Sequence, residues 1–129
     1  MIMGEAGKAQ GCVLVVDDDE QIRETLSELV EMLGCSVVTA ANGREALAVL
    51  AKWRPCLIIL DLRMPVMNGQ ELLKEMKQEP SLAALPVLIS TSAPDQAPIG
   101  LPVLPKPIDI DRLVGWLSQT CQCLAPLAT

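Results

Sequence analysis

CVLVVDDD, residues 12–19, decides how this chain is read. Cys12 to Val16 is an unbroken apolar run of strand length, and a strand without polar alternation is buried on both faces, as in a parallel sheet covered by helices. The run stops abruptly at Asp17, Asp18 and Asp19. CLIILD, residues 56–61, repeats the pattern: the most apolar stretch of the chain, and so a central strand, ends at Asp61. Two strands therefore terminate in carboxylates.

Working outward, short apolar runs alternate with longer amphipathic stretches, which is the signature of the α/β class. Between Glu20 and Leu33, Ile22, Leu26, Leu29, Val30 and Leu33 recur at helical spacing, and Gly34 is placed to end that helix with a left-handed cap. CSVVTA (35–40) is a second strand. Asn42 then caps a helix running to about Trp53, with Glu45 reaching back toward the cap. After Met64-Pro65 and Asn68-Gly69 a third helix turns Leu72, Leu73 and Met76 inward and is limited by Pro80. PVLIS (86–90) is a fourth strand, followed by Thr91 and Ser92. Pro94, Pro98 and Gly100 leave room for at most a helical turn before a fifth strand, Leu101 to Leu104, which Pro102 assigns to an edge. A last helix starts near Asp109 and turns Ile110, Leu113, Val114 and Leu117 inward.

A length of 129 residues fits one domain, and an apolar fraction of 50% supports a core without disulfides or a structural metal. The expected division is a flexible segment over 1–11, one domain over 12–120 and a tail over 121–129. A net charge of −6 without a Lys/Arg cluster argues against direct nucleic-acid binding. Five cysteines cannot all pair. Cys12, Cys35 and Cys56 head apolar runs and read as buried thiols in a reducing compartment. Cys121 and Cys123 form a lone C-x-C, and the lack of any His and of a second cysteine pair argues against a closed four-ligand zinc site. No signal-peptide core lies in residues 1–11, and no apolar run approaches the roughly 18 residues of a membrane span. A cytoplasmic protein without a membrane partner is expected.

In open parallel sheets, ligands bind beyond the carboxyl ends of the strands. Here those ends carry Asp17 and Asp18, Asp61, Thr91 and, just past the fifth strand, Lys106. Each alone has a plainer reading: helix-capping acids, a turn residue, a strand-end hydroxyl, a solvated ammonium. Together they form a site. Converging carboxylates need a compensating cation or raised pKa values, and Mg²⁺, a hard ion that prefers oxygen ligands, suits them. A carboxylate beside that ion is a nucleophile toward phosphorus, and Lys106 and Thr91 can neutralise and hydrogen-bond the transferred group.

From Val13 to Leu117 the sequence resembles the receiver domain of two-component response regulators. The resemblance rests on Val15-Val16-Asp17-Asp18, Leu60-Asp61, Met64-Pro65, Asn68-Gly69, Val87 to Thr91 and Lys106-Pro107. It implies a flavodoxin-like, doubly wound five-stranded sheet in order 2-1-3-4-5. It also implies that Asp61 accepts a phosphoryl group from a phosphohistidine of a histidine kinase or phosphotransfer protein. Asp18, Asp61 and the main-chain carbonyl of Arg63 would ligate Mg²⁺, with Asp17 contacting it through water. Thr91 would hydrogen-bond the phosphoryl group, Lys106 would pair with it, and Lys106-Pro107 would be a cis peptide. Such a domain is a phosphoacceptor that slowly dephosphorylates itself rather than an enzyme, with Arg63 and Ala93 flanking the path of attacking water.

Two departures from the family pattern stand out. The fourth helix is shortened or missing between Thr91 and Lys106. Val103 occupies the position, three before the lysine, where many receivers place an aromatic switch residue. The leading expectation is a phosphorylation-dependent receiver, acting alone or as part of a longer protein, with its downstream protein target unnamed. The alternative is a degenerate receiver serving as a phosphorylation-independent interaction module. A dehalogenase-type phosphatase would want a second Asp where Arg63 stands. A flavin protein would want a Ser/Thr/Gly loop where the three aspartates stand.

Overall fold

The computed structural model describes residues 12–120. The expectations for residues 1–11 and 121–129, including the Cys121/Cys123 pair, lie outside the described residues. Five strands, β1 (Cys12–Val16), β2 (Ser36–Ala40), β3 (Leu57–Leu60), β4 (Val87–Thr91) and β5 (Val103–Pro105), form one sheet in the order β2-β1-β3-β4-β5. All four pairings are parallel. The helices are α1 (Glu20–Met32), α2 (Gly43–Leu50), α3 (Gly69–Lys77), the single turn α4 (Pro80–Ala83) and α5 (Ile110–Thr120).

Each long helix starts where a polar side chain satisfies its free N–H groups. Asp19 accepts from the N–H groups of Gln21 and Ile22 to cap α1. Asn42 accepts from Glu45 N–H at α2, while the Glu45 carboxylate accepts from Ala41 N–H. At α3, Asn68 and Glu71 form a reciprocal capping box, each side chain accepting from the other's N–H. Asp109 accepts from Asp111 and Arg112 at α5. Gly34, with φ 99°, follows α1 in the left-handed conformation that ends it.

The alternation of side chains along the strands splits the core between the two sheet faces. On one face, Leu14, Val16, Ile58, Leu60 and Ile89 meet Ala46 and Leu50 of α2 and Leu72 and Met76 of α3. On the other, Val13, Val15, Ile59, Leu88 and Leu104 meet Leu26 and Val30 of α1 and Leu113 and Leu117 of α5. Their burial against both layers explains why β1 and β3 read as continuous apolar runs.

Three local readings are corrected. Pro80 limits α3 but also starts α4, because a proline at the first helical position needs no N–H partner. Ile110, the first residue of α5, is exposed rather than inward. Leu73 is half-buried and, as expected, packs against the core of that face. Cys35 and Cys56 are disulfide-bonded, not free thiols. Both stand at the entry of a strand, and the parallel order brings those entries to one end of the sheet, a proximity no local pattern reveals. The crossover from β4 to β5 contains no α-helix, only a 3₁₀ turn at Pro94–Gln96. Among the described residues no helix is long and apolar enough to cross a membrane.

Candidate functional site

Val16 pairs with Leu60 in the β1–β3 register, so the next residue of each strand, Asp17 and Asp61, emerges at the same edge of the sheet. Main-chain bonds hold both there: Asp17 N–H donates to Ala40 O at 3.1 Å and Asp61 N–H to Val16 O at 2.9 Å. Asp18 extends into solvent beside them. One carboxylate oxygen from each of Asp17, Asp18 and Asp61 lies within 4.8 Å of the others. Asp17 and Asp61 are only 2% and 5% exposed, so two of the three charges are removed from bulk water.

Lys106 comes from the far side of the site. Thr91 pairs with Pro105 at the end of β4–β5, and Lys106 N–H donates to Thr91 O at 2.9 Å. The Lys106–Pro107 peptide is cis. Lys106 Nζ donates to Asp17 Oδ2 at 2.8 Å and lies 3.6 Å from Asp61 Oδ1. Asp17 Oδ1 accepts from Asp19 N–H at 2.9 Å, which folds the β1–α1 loop around the carboxylate.

Burial and the neighbouring charges set the ionisation of Asp61 and Lys106. Burial, and then the negative charge of Asp17, raise Asp61 to about 6, against the opposing pull of Lys106 and of the Arg63 N–H. Burial pulls Lys106 down, but its hydrogen bond to Asp17 and the charges of Asp17 and Asp61 outweigh it, so the ammonium is held above its ordinary value. One ammonium thus faces three carboxylates, and the balance is a cavity edge short of positive charge.

The remaining residues singled out in the sequence are peripheral to that cluster. Arg63 is exposed, and its N–H reaches Asp61 Oδ1 at 3.4 Å. Thr91 is buried, and its hydroxyl oxygen accepts from Ala93 N–H at 3.0 Å, which leaves the O–H as a donor. Three contributors had no signal of their own. Arg23 of α1 donates to Asp17 O at 2.7 Å and ties the acidic loop to the helix. Gly69 lets α3 start directly against the phosphoacceptor candidate, since a Cβ there would lie 2.5 Å from Asp61 O. Gly43 likewise admits the Met67 carbonyl, which accepts from Gly43 N–H at 2.8 Å. Asn68-Gly69 was visible as a turn, and the close packing behind it was the missed meaning.

The donor set suits a hard divalent cation. It offers only oxygen, places three carboxylates within one coordination sphere's reach, and holds Asp61 where burial, and then the charge of Asp17, raise its proton affinity. Asp17, Asp18 and Asp61 are the residues able to hold Mg²⁺.

Residues 13–117 match the family model described as the response regulator receiver domain. The DNA-binding transcriptional regulator NtrC of Salmonella typhimurium is 41% identical over 117 residues, which cover 85% of this chain and 24% of that protein. Response regulator MprA of Mycolicibacterium vanbaalenii is 34% identical over 119 residues, 88% of this chain and 52% of that protein. The chain therefore spans about a quarter to a half of the length of these relatives. Among solved structures, the chemotaxis response regulator CheY4 of Vibrio cholerae superposes with a TM-score of 0.76 at 34% identity, covering 85% of this chain and 98% of that one. A response regulator receiver protein from Pseudomonas putida gives a TM-score of 0.76 at 30% identity, covering 86% and 98%.

Proposed function

Because the chain belongs to the response regulator receiver domain family, we propose that Asp61 accepts a phosphoryl group from the phosphohistidine of a histidine kinase or phosphotransfer protein. The observation that carries this reading is the convergence of Asp17, Asp18, Asp61 and Lys106 on one point at the edge of the sheet. An Asp61 carboxylate oxygen forms the new bond to phosphorus. The bond from phosphorus to the donor's imidazole nitrogen breaks, and its electron pair stays on that nitrogen.

The protein's part is positioning and charge. Mg²⁺, held by Asp17, Asp18, Asp61 and the Arg63 carbonyl, would neutralise the developing charge on the phosphoryl oxygens. Lys106 sits within 4 Å of Asp61 and can shift from Asp17 toward a phosphoryl oxygen by a small rotation of its long stem. Thr91 has its O–H available to donate to another. Self-hydrolysis of the acyl phosphate, gated by Arg63 and Ala93, completes the cycle. Location in the cytoplasm fits a partner kinase that draws on ATP.

Titration of the ¹⁵N-labelled protein with beryllofluoride and Mg²⁺ tests this reading. Expected are saturable shifts at Asp61, Thr91 and Lys106 that require Mg²⁺ and vanish in Asp61→Asn. Shifts independent of Mg²⁺, or retained in Asp61→Asn, would sink it.

A further inference from the structure

The two faces of the sheet are covered unequally at the β5 edge. On one, α5 closes over Leu104, which is fully buried. On the other, the β4–β5 crossover offers a 3₁₀ turn and an extended loop, and Val103 is left half-buried. A parallel sheet needs cover on both faces, so this edge has an unfilled place.

Next to that loop, a groove of about 360 Å³ lies between α3 and the residues leading into β5. Its apolar lining includes Leu73, Leu85, Val87, Ile99 and Leu101. Ile99 has no cover at all, with a relative exposure of 103%. Its charge is as distinctive as its shape. The charged residues lining it are Lys74 and Lys77, and neither makes an ion pair among the described residues. The carboxylates of the same helix are turned elsewhere: Glu71 accepts from Asn68 N–H, and Glu75 lines the surface shared with α2. In a chain of net charge −6, this is an apolar slot with a basic wall.

We propose that this groove docks an acidic amphipathic helix of a partner protein, seated where the β4–β5 crossover would otherwise supply a helix. The apolar stripe of the partner lies on Leu73, Leu85, Ile99 and Leu101, and its carboxylates meet Lys74 and Lys77. Helix-in-groove recognition of this kind takes affinity from the stripe and orientation from the charged rim. The surface exists without phosphorylation, so the proposal goes beyond the phosphoacceptor reading and fails or stands separately from it.

The test uses the unphosphorylated ¹⁵N-labelled protein and two designed helical peptides. Both carry Leu at helical i, i+3, i+4 and i+7 spacing, flanked by Glu in one peptide and by Lys in the other. The Glu peptide is expected to bind saturably and to shift the amides of Leu73, Leu85, Ile99 and Leu101, while the Lys peptide does not. Charge reversal, Lys74→Glu with Lys77→Glu, weakens the Glu peptide about tenfold and transfers binding to the Lys peptide. Ile99→Asp, at a fully exposed position, weakens the Glu peptide while leaving the fold intact. The proposal is overturned if neither peptide binds or both bind alike, if the shifts map to another face, or if the groove is closed by concentration-dependent self-association.

Discussion

Lys106 hydrogen-bonds Asp17 at 2.8 Å, while its distance to Asp61 is 3.6 Å. The ammonium is thus parked on the carboxylate that is not the proposed phosphoacceptor. This arrangement holds the most buried acid of the site in an ion pair and leaves Asp61 with the weaker share of the positive charge. Burial, and then the charge of Asp17, raise its pKa, and the distant ammonium only partly offsets them.

Removing the ammonium strands Asp17 in a nearly solvent-free position. Lys106→Ala is expected to lower the stability of metal-free protein by about 1–3 kcal/mol, the cost of a buried charged acceptor losing its partner. Mg²⁺ should bind the variant more tightly than the parent, since a competing positive charge has gone. Urea denaturation in EDTA and Mg²⁺ titration check the two effects, and an unchanged midpoint would mean that water replaces the ion pair.

Asp61 gives the metal-free protein a pH dependence of defined sign. Its folded-state pKa is about 6 and its ordinary value 3.8, so below about pH 4 it is protonated in both states. Between the two values the unfolded chain has lost the proton and the folded chain keeps it, so stability falls as pH rises, levelling off above about 6. Asp61→Asn removes that fall and should stabilise the protein at pH 7 by about 1–2 kcal/mol, discounted from the full shift because solvent reaches the site. Other carboxylates contribute slopes of their own, so the difference between parent and variant denaturation in EDTA across pH 4 to 8 is the relevant curve.

Gly69 is the least replaceable residue around the site. A methyl group there would meet Asp61 O at 2.5 Å and Leu62 Cα at 2.9 Å, both main-chain atoms that cannot step aside without moving β3 or α3. Gly69→Ala should cost about 2–3 kcal/mol, as overpacking does, and displace the Asp61 carboxylate. Gly115 supplies the control: a Cβ there meets nothing within 4 Å, and Gly115→Ala in the middle of α5 should gain up to about 1 kcal/mol of helix stability.

Val66 occupies the left-handed region at φ 68°, a costly place for a β-branched residue, in the turn where Met67 N–H donates to Pro65 O at 2.7 Å. Its side chain is 71% exposed and contributes little packing. Val66→Gly should therefore stabilise the chain by about 0.5–1 kcal/mol, the relief of strain exceeding the entropy that glycine adds to the unfolded state. Thermal denaturation of Val66→Gly beside Val66→Ala separates the two terms, because alanine keeps the Cβ.

Much of this was legible in the sequence because the features are local. Strands buried on both faces read as CVLVV and LIIL, caps read as Asn42 with Glu45, and residues at parallel strand ends share one edge by topology alone. The truncated β4–β5 crossover was legible from Pro94, Pro98 and Gly100, because two prolines break a helix wherever they stand. What stayed hidden depends on distant packing. The Asn68 to Glu71 box was missed beneath the turn signal, and the role of Gly69 needs the position of a main-chain oxygen on another element. Ile110 fits the helical stripe but, as the first residue of its helix, stays exposed. Cys35 and Cys56 look like ordinary core residues until the strand order brings their ends together.

The phosphoacceptor role of Asp61 is tested most directly by intact-mass measurement after incubation with acetyl phosphate, with and without Mg²⁺. The account predicts the added mass of one phosphoryl group in the presence of Mg²⁺, absent with EDTA and absent in Asp61→Asn. No mass gain in the parent protein, or an equal gain in Asp61→Asn, would contradict it.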